Sequence, residues 1–480
     1  MQRLSDRTSH VTNDAGNEFL RGPWRPTGAE LDASDLAVVG ELPAGLRGSF
    51  IRNGPNPMFE PVSEYHMFDG DGMLHQVSFE DGKASYANRW IRSRGLEVEM
   101  RAGRGVYPGL SDIANWPDRS VTGDAGPVKN PANTHIVRHA GRYFALWEGG
   151  LPTEVTADLD TVGPWDYEGQ VDGMLPAMTA HPRIDPRTGE MFSFAYSPFP
   201  PYIRYFVIDA TGTLVHKVEL DLPAPVMMHD FLITEQYAVF LDSPIVLNIG
   251  DPDGGPVARW RPENGTRLGI MPRMGNASDI RWFEIDPCHV QHFWNAWDDG
   301  DRVELRGARW KAVDFGYESE GTAIEVDPAL PARFWVDLAA GTAGWEHFDD
   351  LGGEMCRFND GYNGVYNRYD YMAAYTSHRA RLGGFDAVAG YDAKTGQRQV
   401  WDFGGEREVG EPVFAPDPAG SGEGDGWILC TTIDRTATVS EINVFEAGRI
   451  DAGPMAVVHL PQWVPSGFHA NWFPSQDRDG

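Results

Sequence analysis

The chain has 480 residues, of which 41% are hydrophobic and 12% aromatic, a composition that suits an ordered globular protein and not a disordered one. Its 40 Lys+Arg against 70 Asp+Glu leave a formal net charge of −30, which repels phosphate backbones; with no basic cluster to offset it, nucleic acid is excluded as an expected partner. Cys288, Cys356 and Cys430 are odd in number and share no Cys-x-x-Cys spacing, so a disulfide framework or zinc ribbon is not expected and a reducing compartment fits.

Residues 1–20 contain no apolar segment of the signal-peptide kind, and we expect them, His10 included, to be disordered. No run approaches the roughly 18 apolar residues of a membrane span, so the expected location is cytoplasmic. Turn signals then recur along the chain at Glu80-Asp81-Gly82-Lys83, Asp185 to Gly189, Asp209 to Gly212 and Asp392 to Gly396. Asp accepts from backbone N–H groups at the start of such a turn, and the later Gly takes the left-handed conformation. Between the turns lie apolar, β-rich runs, such as Met191 to Tyr196, Tyr205 to Ile208, Tyr237 to Leu241 and Ile442 to Phe445. Short strands at that spacing read as the hairpins of a sandwich, barrel or propeller. Around residues 91–130, Gly, Pro and Trp interrupt the strand pattern, which predicts a helical or loop-rich insertion. No exact repeat is present, and no Pro/Ser-rich linker separates two halves, so residues 1–480 are expected to form a single domain.

Four histidines, His181, His229, His292 and His469, are separated by 48, 63 and 177 residues. No single helix or loop can gather them, whereas a fold that returns many segments to one axis can. A metal on the axis of a β-propeller is the implied arrangement, and four neutral imidazoles suit Fe, Cu, Zn or Ni. His289 and His292 lie three apart in Cys288-His289-Val290-Gln291-His292. In a strand they point to opposite faces, so one reaches the axis; the following Asn295-Ala296-Trp297 selects His292, and His289 is expected to be structural. His66, His75, His135, His139, His216, His347, His378 and His459 are read as surface or hydrogen-bonded core histidines.

Seven ordered stretches carry a family resemblance. They are Phe50 to Pro57, Phe68 to Met73, Ala132-Asn133-Thr134, Thr179 to Pro182, Met228-His229-Asp230, His292 to Trp297 and Gly467-Phe468-His469. In these the chain resembles the carotenoid cleavage oxygenases, a group that includes lignostilbene dioxygenases and retinoid isomerases. The resemblance implies an all-β fold, a seven-bladed β-propeller with a cap of loops and helices over the face that holds Fe(II). It implies that His181, His229, His292 and His469 ligate the metal and that Glu148, Glu354 and Glu411 orient their imidazoles. Glu354 is followed by Met355-Cys356-Arg357-Phe358, which departs from the family's usual Phe-Pro. Thr134 matches a residue whose methyl crowds an open iron position.

The implied reaction adds dioxygen across a conjugated C=C bond and releases two carbonyl products, with no side chain needed as a general acid or base. Trp147, directly before Glu148, favours an apolar polyene, a carotenoid or apocarotenoid, over a phenolic stilbene or phenylpropanoid. The stilbene-cleaving relatives place a lysine in this region, and Lys129 lies upstream with no direction assigned by the sequence. A polyene also calls for an apolar surface that touches the membrane holding it, for which Met100 to Leu110 and Pro198 to Ile203 are the candidate segments. Three other readings compete: a retinoid isomerohydrolase on the same iron site, a propeller hydrolase with a carboxylate-bound Ca²⁺, and a metal-free interaction scaffold.

Overall fold

The computed structural model describes residues 2–3, 8–12, 16–113, 115–173, 175–248, 257–313, 327–376, 384–435 and 439–475. Its regular structure is overwhelmingly β. The two α-helices among the described residues are Arg94–Ala102 and Arg119–Thr122. Ser93 starts the longer one by accepting from Leu96 N–H, and Gly103 ends it in the left-handed conformation. No helix among the described residues is long and apolar enough to cross a membrane.

Among the described residues the strands form seven sheets of four or more strands and one two-stranded ribbon. The seven larger sheets are the blades of a seven-bladed β-propeller, the expected fold class. By compactness the chain divides into one unit of residues 1–165 and 399–480 and a second of 166–398.

In the first unit, the strand Gly48–Pro55 lies between Gly72–Glu80 and the C-terminal strand Ala470–Pro474. Val38–Gly40 in turn pairs with Ala456–His459. Two sheets are thus each completed by strands from opposite ends of the sequence. Residues at the start of the chain are part of this architecture. Gln2–Arg3 pairs with Leu31 and Asp32, His10 N–H donates to Met58 O at 2.7 Å, and the His10 ring stacks on Phe59. The expectation that residues 1–20 are disordered is corrected for these positions: edge pairing and one aromatic contact hold them.

Among the described residues the second unit contains three complete antiparallel four-stranded sheets, beginning at Arg183, Leu232 and His289, and the first three strands of a sheet beginning at Gly353. Both faces of the inner strands Met191–Tyr196, Ile203–Ile208 and Tyr237–Asp242 are buried, which is why these read as continuous apolar runs and not as alternating ones. Phe240 packs with Phe194, Tyr205 and Phe231 on one side, while its neighbours Val239 and Leu241 pack with Leu268, Phe283 and Phe293 on the other. The predicted turns close the hairpins. Asp81 and Gly82 both adopt positive φ between the paired Glu80 and Lys83, and the Asp209 carboxylate accepts from the N–H groups of Thr211 and Thr213.

Candidate metal centre

In the second unit the candidate site residues lie on, or just before, the first strand of a sheet. His181 precedes the strand Arg183–Ile184, His229 precedes Leu232–Ile233, and His292 lies within His289–Asp299. The intervening backbone is fixed by one ion pair. Arg183 contacts both oxygens of Asp230, at 2.8 and 2.7 Å, and donates from Nε to Phe231 O. Asp230 in turn accepts from the N–H of Phe293 at 2.9 Å. The residue after His229 and the residue after His292 are therefore tied together, with Arg183 from the His181 segment closing the set. Thr179 adds a further tie, accepting from His181 N–H and donating to His229 O. The sequence reading missed these residues. Their only local signal is a pair of opposite charges placed beside candidate ligands, in His181-Pro182-Arg183 and His229-Asp230.

This scaffold brings three imidazoles to a common point. His181 Nε2 and His229 Nε2 are 3.0 Å apart, His229 Nε2 and His292 Nε2 are 3.2 Å apart, and all three side chains are buried. The Nδ1 of His292 is hydrogen-bonded to Glu354 Oε2, which keeps its proton on Nδ1 and turns the Nε2 lone pair toward the other two rings. With Nε2 unprotonated on all three rings, the converging lone pairs repel unless a cation sits among them. Ligands at right angles around a metal with M–N bonds of roughly 2.1 Å would be separated by roughly 3.0 Å, so the observed spacing fits a divalent metal.

Glu354 is itself held by Trp310 Nε1 at 3.1 Å and by the N–H of Met355 at 2.7 Å. Met355 itself adopts φ +57°, at the point where the strand Gly353–Phe358 shifts register between Glu354 and Arg357. The departure from the family's Phe-Pro after Glu354 leaves the carboxylate in contact with its histidine. Burial works against the Glu354 charge, but the His292 ring, the Met355 N–H and the indole hold its carboxyl below the ordinary glutamate range. His289 lies on the same strand with its ring bonded to Ser243 Oγ and Gln291 Oε1; burial lowers its pKa to about 4, consistent with a neutral structural histidine.

In the first unit, His469 immediately precedes the strand Ala470–Pro474. Its Nδ1 donates to Glu411 Oε1 at 2.9 Å, and Glu411 Oε2 accepts from Ala470 N–H at 2.7 Å. Thr134 is buried close by, its carbonyl accepting from His469 N–H at 3.0 Å. Glu148 follows the strand Arg142–Leu146 and is half-buried. Among the remaining histidines, His75 bonds Tyr86 Oη, His216 bonds Gly275 O, and His66 caps a short 3₁₀ turn, while the His135 ring lies 5.2 Å from that of His469. His378 lies outside the described residues.

The same unit contains a cavity lined by Phe68, Tyr107, Trp147 and Lys129, with Asp69, Asp71 and Glu99 on its walls. Lys129, whose direction the sequence left open, points its ammonium here, 2.9 Å from Asp71 and 3.0 Å from Glu99. Burial disfavours its charge, but the two carboxylates outweigh that and hold its pKa above the ordinary lysine value. The Trp147 indole covers the backbone at Gly149, where a Cβ would come within 2.5 Å of the ring.

Comparison with known proteins supplies the family. The family model described as retinal pigment epithelial membrane protein matches residues 24–474. The carotenoid 9,10(9',10')-cleavage dioxygenase 1 of Arabidopsis thaliana is 33% identical over 94% of this chain and 89% of its own. The chain belongs to the carotenoid cleavage oxygenase family. Among solved members, Pseudomonas brassicacearum lignostilbene dioxygenase is 27% identical with a TM-score of 0.88, covering 98% of this chain and all of its own. A cobalt-substituted Synechocystis apocarotenoid oxygenase is 28% identical with a TM-score of 0.82, over 95% and 98% of the two chains. Membership establishes an oxygenase whose relatives act on carotenoids, apocarotenoids and stilbenes.

Proposed function

We propose that this protein is a single-domain, non-haem Fe(II) dioxygenase that cleaves a conjugated C=C bond of a carotenoid or apocarotenoid into two carbonyl products. The observation that carries the reading is the convergence of His181, His229 and His292 through Nε2, with His292 oriented by a buried carboxylate. His469 supplies the fourth ligand in this reading. Its imidazole repeats the arrangement of His292, with Nδ1 engaged by Glu411 and Nε2 left to bind metal. Glu148 orients a ligand in the same way. Four neutral imidazoles fit the donor chemistry of a divalent transition metal, and bound Fe(II) supplies the redox chemistry that spin-paired organic substrates need to react with dioxygen.

The chain's own residues bind and orient. Glu354 and Glu411 fix which nitrogen of each histidine carries the proton. Thr134 narrows access beside His469. Trp147 and Phe68 give a conjugated substrate flat apolar surface from which water is displaced. Nothing in this scheme asks a side chain to move a proton. The segment Pro198 to Ile203, with Phe199 42% exposed, suits the rim contact through which such an enzyme takes a polyene from a membrane, and a cytoplasmic location fits.

One observation favours a second reading, a stilbene or phenylpropanoid substrate. Lys129 presents a cation to the cavity that Trp147 lines, and a phenolic oxygen could take the hydrogen of its ammonium left over by Asp71 and Glu99. Anaerobic Fe(II) reconstitution followed by oxygen uptake with an apocarotenal and with a 4-hydroxystilbene decides between them. Iron-dependent uptake with a shortened aldehyde supports the first reading, and uptake with the stilbene alone supports the second. Failure to bind iron would overturn both.

A further inference from the structure

Asn53, in the strand Gly48–Pro55, is completely buried, with 0% of its surface exposed, and every polar group it has is used. Its main chain continues the ladder to the metal-ligand segment: Asn53 N–H donates to His469 O at 2.9 Å and Asn53 O accepts from Phe468 N–H at 3.0 Å. Its side chain faces a different segment, Nδ2 donating to Ala132 O at 2.7 Å and to His135 O at 3.0 Å. Its Oδ1 accepts from Gly54 N–H. The two carbonyls held by Nδ2 bracket Thr134. One belongs to Ala132, which adopts φ +50°, a left-handed conformation that a residue with a Cβ holds only where its surroundings impose it. One amide therefore references His469 through its backbone and the Thr134 segment through its side chain.

We propose that Asn53 is a positioning residue that fixes the spacing between Thr134 and the His469 imidazole, and so sets how tightly Thr134 restricts small ligands at the metal. The proposal rests on the reading of His469 as a ligand and Thr134 as its neighbour at the open position. The rival account is that the backbone bonds alone place Thr134, through Thr134 N–H to Leu146 O at 2.9 Å and His469 N–H to Thr134 O at 3.0 Å. On that account Asn53 is only a filled core position.

The test uses the full chain loaded with Co(II), with azide as the small-ligand probe and the visible spectrum of the metal as readout. Wild type should bind one Co(II) per chain; no binding would overturn the four-histidine reading before Asn53 is reached. Thr134→Ala should change azide affinity by roughly fivefold or more, Asn53→Ala should reproduce that change, and the double variant should show no further change. Asn53→Ala within about twofold of wild type, independent shifts that multiply, or no shift in Thr134→Ala would overturn the proposal. A merely structural asparagine would lower thermal stability without that coupling. Should Asn53→Ala fail to fold, Ala132→Gly decides, because it removes the left-handed strain and leaves both Nδ2 bonds in place. Azide affinity within about twofold of wild type supports positioning by Asn53, and a shift like that of Thr134→Ala overturns it.

Discussion

Glu411→Ala tests the metal centre at the point where its energetics are best defined. Glu411 is 4% exposed and spends both oxygens on the His469 corner, one on Nδ1 at 2.9 Å and one on Ala470 N–H at 2.7 Å. Truncation frees the His469 ring to rotate and to shift its proton to Nε2, the nitrogen that binds metal in the proposed function. Loss of such a partner weakens metal binding by about 10- to 100-fold, equivalent to about 1.4–2.7 kcal/mol. Two charge-assisted hydrogen bonds are lost, each worth about 1.5–3 kcal/mol, but a buried carboxylate no longer has to be desolvated. The net loss of fold stability should therefore be smaller than the sum. Glu411→Gln should fall between wild type and Glu411→Ala, because its amide oxygen satisfies one donor while its NH2 opposes the other. Anaerobic competition titration with Co(II) or Fe(II) measures the affinity, and circular dichroism confirms the fold. A folded Glu411→Ala protein that binds metal within about twofold of wild type would refute the orienting role.

Other expectations follow from the same structure. His229→Ala and His469→Ala should each abolish stoichiometric metal and oxygen uptake, read by metal analysis; retention of full activity in either would sink the four-histidine centre. Burial, opposed by N–H groups of His66 and Leu110 and by Lys129, raises the Asp69 pKa to about 6. The unfolded value is about 3.9, so the stabilisation from Asp69 is complete below that pH and is lost as pH rises through about 6. Asp69→Asn should consequently gain melting temperature relative to wild type between pH 4 and 7, and a constant difference across that range would contradict the assignment. Lys129→Met should raise KM for a 4-hydroxystilbene by about tenfold and leave an apocarotenal unaffected; equal effects on both would remove the cation from substrate recognition. Phe240→Ala, in the fully buried cluster with Phe194, Tyr205 and Phe231, should cost about 3–5 kcal/mol in urea unfolding, and a loss below about 1 kcal/mol would mean that the neighbouring rings close the cavity.

The strands and turns were legible in the sequence because their determinants are local. Asp and Gly at Asp209 to Gly212 specify a turn from four residues, and a run such as Met191 to Tyr196 specifies a strand buried on both faces. The motifs around His181, His229, His292 and His469 likewise mark the family, since each is a short contiguous stretch. What could not be read is everything that depends on residues far apart. Arg183 and Asp230 are 47 residues apart and join three histidine segments; their identities carry no sign of that pairing. Lys129 could have faced solvent, core or cavity until the helix Arg94–Ala102 brought Glu99 to it across 30 residues. His10 and Gln2–Arg3 gained order from Phe59, Met58 and a sheet edge that no local pattern announces. Local chemistry by itself determined the β class and the turns, and the short family motifs named the candidate ligands. Tertiary packing decided which nitrogen each His292 and His469 ring turns outward and which charges share a cavity, because ring orientation and ion pairing follow from three-dimensional distances that sequence separation does not encode.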